Sequence, residues 1–172
     1  MAARVLLLLS GLFLLGADYD GRLPPRVYVN ARFGFLVPVP QGWTCAEPDN
    51  GDGVWMSSPD GGLRITASGR FNDVDSRVET VDDLRKQYEH CVAKPLPELQ
   101  VLKALPGGLE GIQFNDFKPG EEPYDLHRVI LRGPLLHSIV LSGKECRRPE
   151  ARRFFHFVCD GWRPIRGIET KP

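Results

Sequence analysis

The sequence predicts an α+β fold: an antiparallel β-sheet with two helices packed on its faces. Three observations predict it. Short runs with apolar side chains at every second position alternate with Gly- and Pro-bearing turns of hairpin length. Two segments, one after Thr80 and one after Pro149, carry apolar residues at helical spacing instead. Their order is strands, helix, strands, helix, which places consecutive strands side by side and leaves the helices to cover the sheet.

Each element has its own warrant. Phe33, Phe35, Val37 and Val39 alternate with Gly34, Leu36 and Pro38, a period of two. The proline nitrogens lack a donor, so this strand ends near Pro38 and Pro40 or lies at an edge. Pro40-Gln41-Gly42-Trp43 reads as a turn. Val54–Ser57 and Leu63–Ala67 form a hairpin across Pro59-Asp60-Gly61-Gly62. Thr80 is suited to cap a helix whose first turn holds Asp82 and Asp83, near the positive end of the dipole. Val81, Leu84, Tyr88 and Cys91/Val92 form its apolar stripe, and Pro95 and Pro97 stop it. Strands follow over 98–105, 109–115, 124–132 and 135–142, with Gly107-Gly108 and Gly133-Pro134 as turns.

If Arg132 pairs with Leu135, then His127, Val129, Leu131, Leu136, Ser138 and Val140 share one face. Arg128, Ile130, Arg132, Leu135, His137, Ile139 and Leu141 share the other. Both faces carry branched apolar residues, so both are expected to be at least partly covered. Pro149 opens the second helix, with Ala151, Phe154, Phe155 and Val158 as its stripe and Gly161 at its end. Trp162–Ile165 adds a last short strand.

The chain has 172 residues, with 22 Lys+Arg against 22 Asp+Glu. That is one domain's length, sufficient to bury about 68–70% of the unfolded surface. A zero formal charge excludes the broad basic footprint of a general nucleic-acid binder. Met1–Arg4 carries one positive charge, Val5–Leu15 is almost wholly apolar, and Gly16-Ala17 precede Asp18 and Asp20. These are the parts of a secretory signal peptide spanning 1–17. Eleven residues make roughly 16 Å of helix, about half of the ~30 Å hydrocarbon core, so no stable membrane span is expected. The reading divides the chain into signal peptide 1–17, flexible tail 18–27, one α+β domain over 28–166 and a C-terminal tail over 167–172. Export places the mature chain in the periplasm or outside the cell.

Four cysteines, Cys45, Cys91, Cys146 and Cys159, lack C-x-x-C spacing, which sets aside zinc knuckles and thioredoxin-like sites. In an oxidising compartment they imply two disulfides. A helix separates Cys146 from Cys159 by more than the ~7 Å bridging limit. Two schemes remain, of which Cys45–Cys159 with Cys91–Cys146 is favoured.

Four segments carry a resemblance to a known family. They are Tyr28-Val-Asn-Ala-Arg-Phe-Gly-Phe35, Val39-Pro-Gln-Gly-Trp43, Asp49-Asn-Gly-Asp-Gly53 and Ser58-Pro-Asp-Gly61. They resemble the opening of exported bacterial proteins with the PsbP-like fold. The element order agrees over about 28–166. The resemblance implies a PsbP-like α/β/α sandwich and, because members of that superfamily are mostly accessory or binding proteins, a role without catalysis. It carries no metal, chloride or GTPase contact onto any position here.

The residues themselves point the same way. His127 and His137 face apart, and no H-E-x-x-H pair exists among His90, His127, His137 and His156. There is no G-x-S-x-G elbow and no phosphate-binding glycine loop. The candidate ion loop holds Glu47, Asp49 and Asp52 among glycines, but lacks the D-x-D-x-D-G ladder that calcium favours. Lys144, Arg147, Arg148, Arg152 and Arg153 cluster at the start of the second helix, a candidate patch for a phosphate or an anionic envelope polymer. Trp43, Trp55 and Trp162 are candidates for core or for a carbohydrate or partner surface. The expectation is an exported, non-enzymatic binding or accessory protein, with no cofactor or metal and with an unknown protein or small-ligand partner in the cell envelope. The alternative is an envelope hydrolase with an unrecognised pair of carboxylates.

Overall fold

A computed structural model of the chain describes residues 26–72, 78–92, 98–116, 123–144 and 147–165, and for Cys91 and Val92 the backbone alone. The segments read as signal peptide and C-terminal tail, and the helix-stopping Pro95 and Pro97, lie outside the described residues. The strands are β1 (Val27–Asn30), β2 (Phe35–Pro38), β3 (Thr44–Ala46), β4 (Gly53–Ser57), β5 (Leu63–Phe71), β6 (Gln100–Leu105), β7 (Leu109–Asp116), β8 (Tyr124–Arg132), β9 (Leu135–Gly143) and β10 (Arg163–Pro164). The helices are α1 (Val81–Val92) and α2 (Arg148–Gly161).

Seven strands form one antiparallel sheet in the order β3-β4-β5-β9-β8-β7-β6. Its spine is the β8–β9 hairpin, in which Arg132 does pair with Leu135. Gly133 makes the turn at φ 53, a conformation that favours glycine. This register divides the side chains into two faces as the alternation predicts, with His127 and His137 on opposite sides.

The inner face carries Met56, Ile65, Ala67, Leu126, Ile139 and Leu141, all buried. Helix α2 lies on it through Ala151, Phe155 and Val158. Phe154 of the expected stripe is half-buried instead and packs on Trp43. A second, three-stranded sheet in the order β1-β2-β10 packs on this face beside α2 and contributes Phe35 and Val37 to the same core. Arg132 ties the two sheets together: its guanidinium donates to the carbonyls of Gly34 at 2.6 Å and Ile165 at 2.8 Å.

The outer face is covered over β7 and β8 by α1, whose Val81 and Leu84 meet Ile112, Phe114, Val129 and Leu136. Thr80 caps α1 as expected. Its hydroxyl accepts from the Asp83 amide at 3.1 Å, and the Asp83 carboxylate accepts from the Thr80 amide at 3.2 Å.

Two details differ from the sequence expectation. The run beginning at Phe33 enters its strand only at Phe35, because Gly34 turns at φ 64, although Phe33, Phe35, Val37 and Val39 are all buried. Trp43 is followed by the extra strand β3, which pairs Cys45 with Met56. It is three residues long and exposed along its length, so it carries no alternation to read.

Candidate functional site

Helix α2 lies over β8 and β9, while β7 and β6 continue beyond it. At one end of those outer strands the inner-face positions are polar: Gln100, Gln113 and Asn115. They border a cavity of about 150 Å³ with Arg152, Phe155 and His156 of α2, Leu126 of β8 and Glu98 at the rim. Glu98 sits at φ 55, a left-handed conformation that costs a non-glycine residue free energy.

Hydrogen bonds fix the walls. One Glu98 carboxylate oxygen accepts from Asn115 Nδ2 at 2.5 Å and from Arg152 Nη2 at 2.8 Å. The other lies 3.5 Å from Arg148 Nη2. Arg152 Nε donates to the Tyr124 hydroxyl at 3.1 Å, and the Arg148 guanidinium lies 5.2 Å above the Tyr124 ring. The Tyr124 bond, with Glu98 adding to it, raises the Arg152 pKa against the opposing pull of desolvation. Behind the cleft Arg128 is buried, and donates through Nε and Nη2 to Gln113 Oε1 at 3.0 and 2.7 Å. Its third nitrogen lies 3.6 Å from Asp160. The cleft therefore offers amide, guanidinium, imidazole and carboxylate groups side by side. Its volume is below the ~300–1,000 Å³ of pockets that enclose a drug-sized ligand or cofactor.

The sequence pointed to part of this site. Of the basic cluster, Arg148 and Arg152 reach the cleft rim, but through Glu98 they form an internal ion-pair network and not an open anion patch. Arg147 turns away to Asp60 at 2.6 Å and Glu150 at 2.7 Å. Hydrogen bonds from Ser58, Arg147 and the Gly62 amide hold the Asp60 carboxyl far below the usual carboxylate range. Arg153 lies over the Phe154 ring at 5.0 Å, and Lys144 is exposed beyond β9. Gln100, Gln113, Asn115 and Glu98 were missed because isolated polar residues near a sheet edge read as solvent-facing.

The acidic loop does not assemble an ion site. Alternate residues of the first strand reach across to it. Tyr28 donates to the Gly53 carbonyl at 2.9 Å, Asn30 to Gly51 at 3.1 Å and Arg32 to Asn50 at 2.7 Å. Asp52 accepts from Arg32 at 2.7 Å and from Asn50 at 2.6 Å. The oxygens of Asp52 and of these backbone carbonyls are engaged in strapping the small sheet to the large one. Glu47, Asp49 and Asp52 form no ligand cluster, and among the described residues no group of three His, Cys, Asp or Glu is placed to hold a metal.

The favoured Cys45–Cys159 bridge is not formed: both are free thiols, Cys45 exposed and Cys159 buried. Cys45 Sγ accepts from Arg26 Nη2 at 2.8 Å on the sheet edge. Cys159 faces the core from α2, and desolvation pushes its thiol up to about 12. The Cys91 side chain and Cys146 lie outside the described residues.

The histidines stay apart. His137 is 1% exposed between Phe35 and Trp162, and burial, with the Arg132 charge, lowers its pKa to about 3. His127 stacks on Phe114 with centroids 4.7 Å apart, and desolvation lowers its pKa too. Trp43 and Trp162 are core residues, whereas Trp55 is 47% exposed. Among the described residues no helix is long and apolar enough to cross a membrane.

No family model matches the sequence, and no curated protein matches it. Solved structures do. The solution structure of the cyanobacterial PsbP protein CyanoP from Synechocystis sp. PCC 6803 aligns with a TM-score of 0.62 at 15% identity, over 88% of this chain and 99% of that one. A crystal structure from Bacteroides thetaiotaomicron VPI-5482 aligns with a TM-score of 0.56 at 10% identity, over 87% of this chain; the match spans about half of that longer chain, 52%. At such identities the likeness concerns the fold, and the chain has the α+β PsbP-like fold that its opening segments resemble.

Proposed function

We propose that this protein is an exported binding or accessory protein that acts by contact in the cell envelope, and that the cleft between α2 and the β6–β7 edge seats a polar group of its partner. The cleft's own make-up carries this reading. A small cavity with donors and acceptors already oriented by Glu98, Arg152 and Asn115 suits one side chain or chain end of a partner. Such a group meets a preorganised site, so little ordering cost opposes its binding. The apolar run Val5–Leu15 after a basic start supports export. The PsbP-like fold supports an accessory role by analogy of fold alone.

The hydrolase alternative gains no support from the cleft. Glu98 is the one carboxylate among its lining residues, and Asn115 and Arg152 occupy it.

The test is native mass spectrometry of the mature protein, secreted by its own leader and purified gently. A retained ligand or partner, lost on Arg152→Ala, is the expected result. Turnover of a glycan, ester or peptide substrate that disappears in Glu98→Gln would overturn the reading.

A further inference from the structure

Among the described residues no element covers the outer face of the large sheet over β3, β4 and β5. At its centre stands Trp55, 47% exposed. The register puts Trp55 opposite Thr66, with Ser57 and Ser68 at the neighbouring outward positions of β4 and β5. Arg64 and Arg70 flank this row on β5, and both are exposed. Whereas Arg147, Arg148 and Arg152 are paired with acids, Arg64 and Arg70 carry no ion pair among the described residues. The outward positions of β3, β4, β5 and β9 hold no carboxylate. Among the described strand residues, the acid nearest to Arg64 on this face is Asp125, half-buried on β8 and separated from it by the whole of β9.

We infer that this face binds an acidic polysaccharide, a chain of sugar rings bearing carboxylates. The argument is one of complementarity. An indole exposed on a flat sheet offers a face on which a sugar ring can stack, while its edge can donate a hydrogen bond. The Ser and Thr hydroxyls both donate and accept, which suits a hydroxyl-rich polymer. Two unpaired guanidinium groups without a local acid attract carboxylates and pair with them bidentately. Arg64 and Arg70 are six residues apart on one strand, about 20 Å at the usual strand rise. A single small anion cannot reach both, whereas an extended polymer can. Nucleic acid fits less well: a phosphate-dense chain calls for a run of cations and several stacking rings, and this face has two arginines and one indole.

The test is affinity electrophoresis of the mature protein in native gels containing polygalacturonate, neutral dextran or no polymer, with a thymidine oligonucleotide in a parallel shift assay. Polygalacturonate should retard the protein in proportion to its concentration, and dextran should not. Trp55→Ala should abolish the retardation. Arg64→Gln with Arg70→Gln should weaken it about tenfold, and added salt should do the same. Phe157→Ala, exposed on α2, and Arg152→Ala, in the cleft, should leave it unchanged, so this inference and the cleft reading fail separately. An unaltered far-ultraviolet circular dichroism spectrum and a cooperative urea transition in each variant confirm its fold. The inference is overturned if polygalacturonate gives no retardation or dextran retards equally. It is also overturned if the oligonucleotide alone binds, or if Trp55→Ala removes only a self-association seen in sedimentation.

Discussion

The two faces of the seven-stranded sheet are built from the same strands by the same alternation, yet they differ in what they tolerate. The inner face is sealed by α2 and the small sheet. Two of its buried polar residues meet opposite fates: Arg128 is bonded to Gln113 and lies near Asp160, while neither ring nitrogen of His137 has a partner. Among the described residues the outer face is sealed only where α1 lies, over Ile112, Phe114, Val129 and Leu136. Elsewhere it carries Thr66, Ser68, Ser138 and Ser142, which are half-exposed. A polar side chain on the inner face must therefore be solved locally, by an ion pair or by staying neutral, whereas on the open outer face water solves it.

The largest effect that tests this contrast comes from truncation. Phe155→Ala, from the centre of α2's buried stripe, should cost about 3–5 kcal/mol in urea unfolding, the range for a large aromatic lost from a packed core. Leu84→Ala, from the buried stripe of α1, should cost about 2–5 kcal/mol. Trp55→Ala, as large a deletion from the open outer face, should change stability by only about 0.5 kcal/mol. If Trp55→Ala destabilises as much as Phe155→Ala, the outer face is not open and the contrast fails.

Acid titration gives the next largest effect. His137 has a folded-state pKa lowered to about 3 from 6.5 by burial, with Arg132 adding to it. Such a group leaves stability whole above pH 6.5. Below it, the unfolded chain takes the proton and the folded chain does not, so stability falls as pH drops toward 3. The slope is at most about 1.4 kcal/mol per pH unit for one group. His127, lowered by desolvation against the pull of Asp125 and Asp116, works in the same direction. Urea midpoints at pH 7 and pH 5 should therefore separate, and His137→Phe should reduce the separation more than His127→Phe. Equal reductions would mean that the two faces desolvate their histidines alike.

How much of this was legible follows from the range of the interactions. The β8–β9 hairpin and its facing were readable because register across a two-residue turn is local: Arg132–Leu135 fixes every later pair. Both helices were readable from apolar spacing, α1 also from its Thr80 cap and α2 from Pro149 in its first turn. The cleft was not, because its contacts are distant in sequence. Arg152 meets Glu98 across 54 residues and Arg147 meets Asp60 across 87. A run of arginines looks like an open patch until its partners are known. The acidic loop misled for the same reason, since its carbonyl oxygens accept from Tyr28, Asn30 and Arg32, some 18–25 residues earlier. The free thiols show the limit of compositional reasoning: an even count suggested bridges, while Cys45 lies exposed on the edge and Cys159 lies buried in the core.

Those two thiols supply the smallest effect and the sharpest contrast of edge with core. Cys45, exposed beside Arg26, should be alkylated by iodoacetamide in the native protein at pH 8. Cys159 should resist until the chain is unfolded. Desolvation pushes its thiol well above the usual range, so little of it is the reactive thiolate at that pH, and the side chain is 1% exposed. Peptide mapping before and after denaturant separates the two sites, and labelling Cys45 should change stability by no more than about 0.5 kcal/mol, because the residue is exposed on a short edge strand. Native labelling of Cys159 at the rate of Cys45 would show that α2 lifts readily from the inner face. A Cys45 that resists alkylation in the exported protein until a reductant is added would show that it is bridged there, with Cys91 and Cys146 as the partners to map.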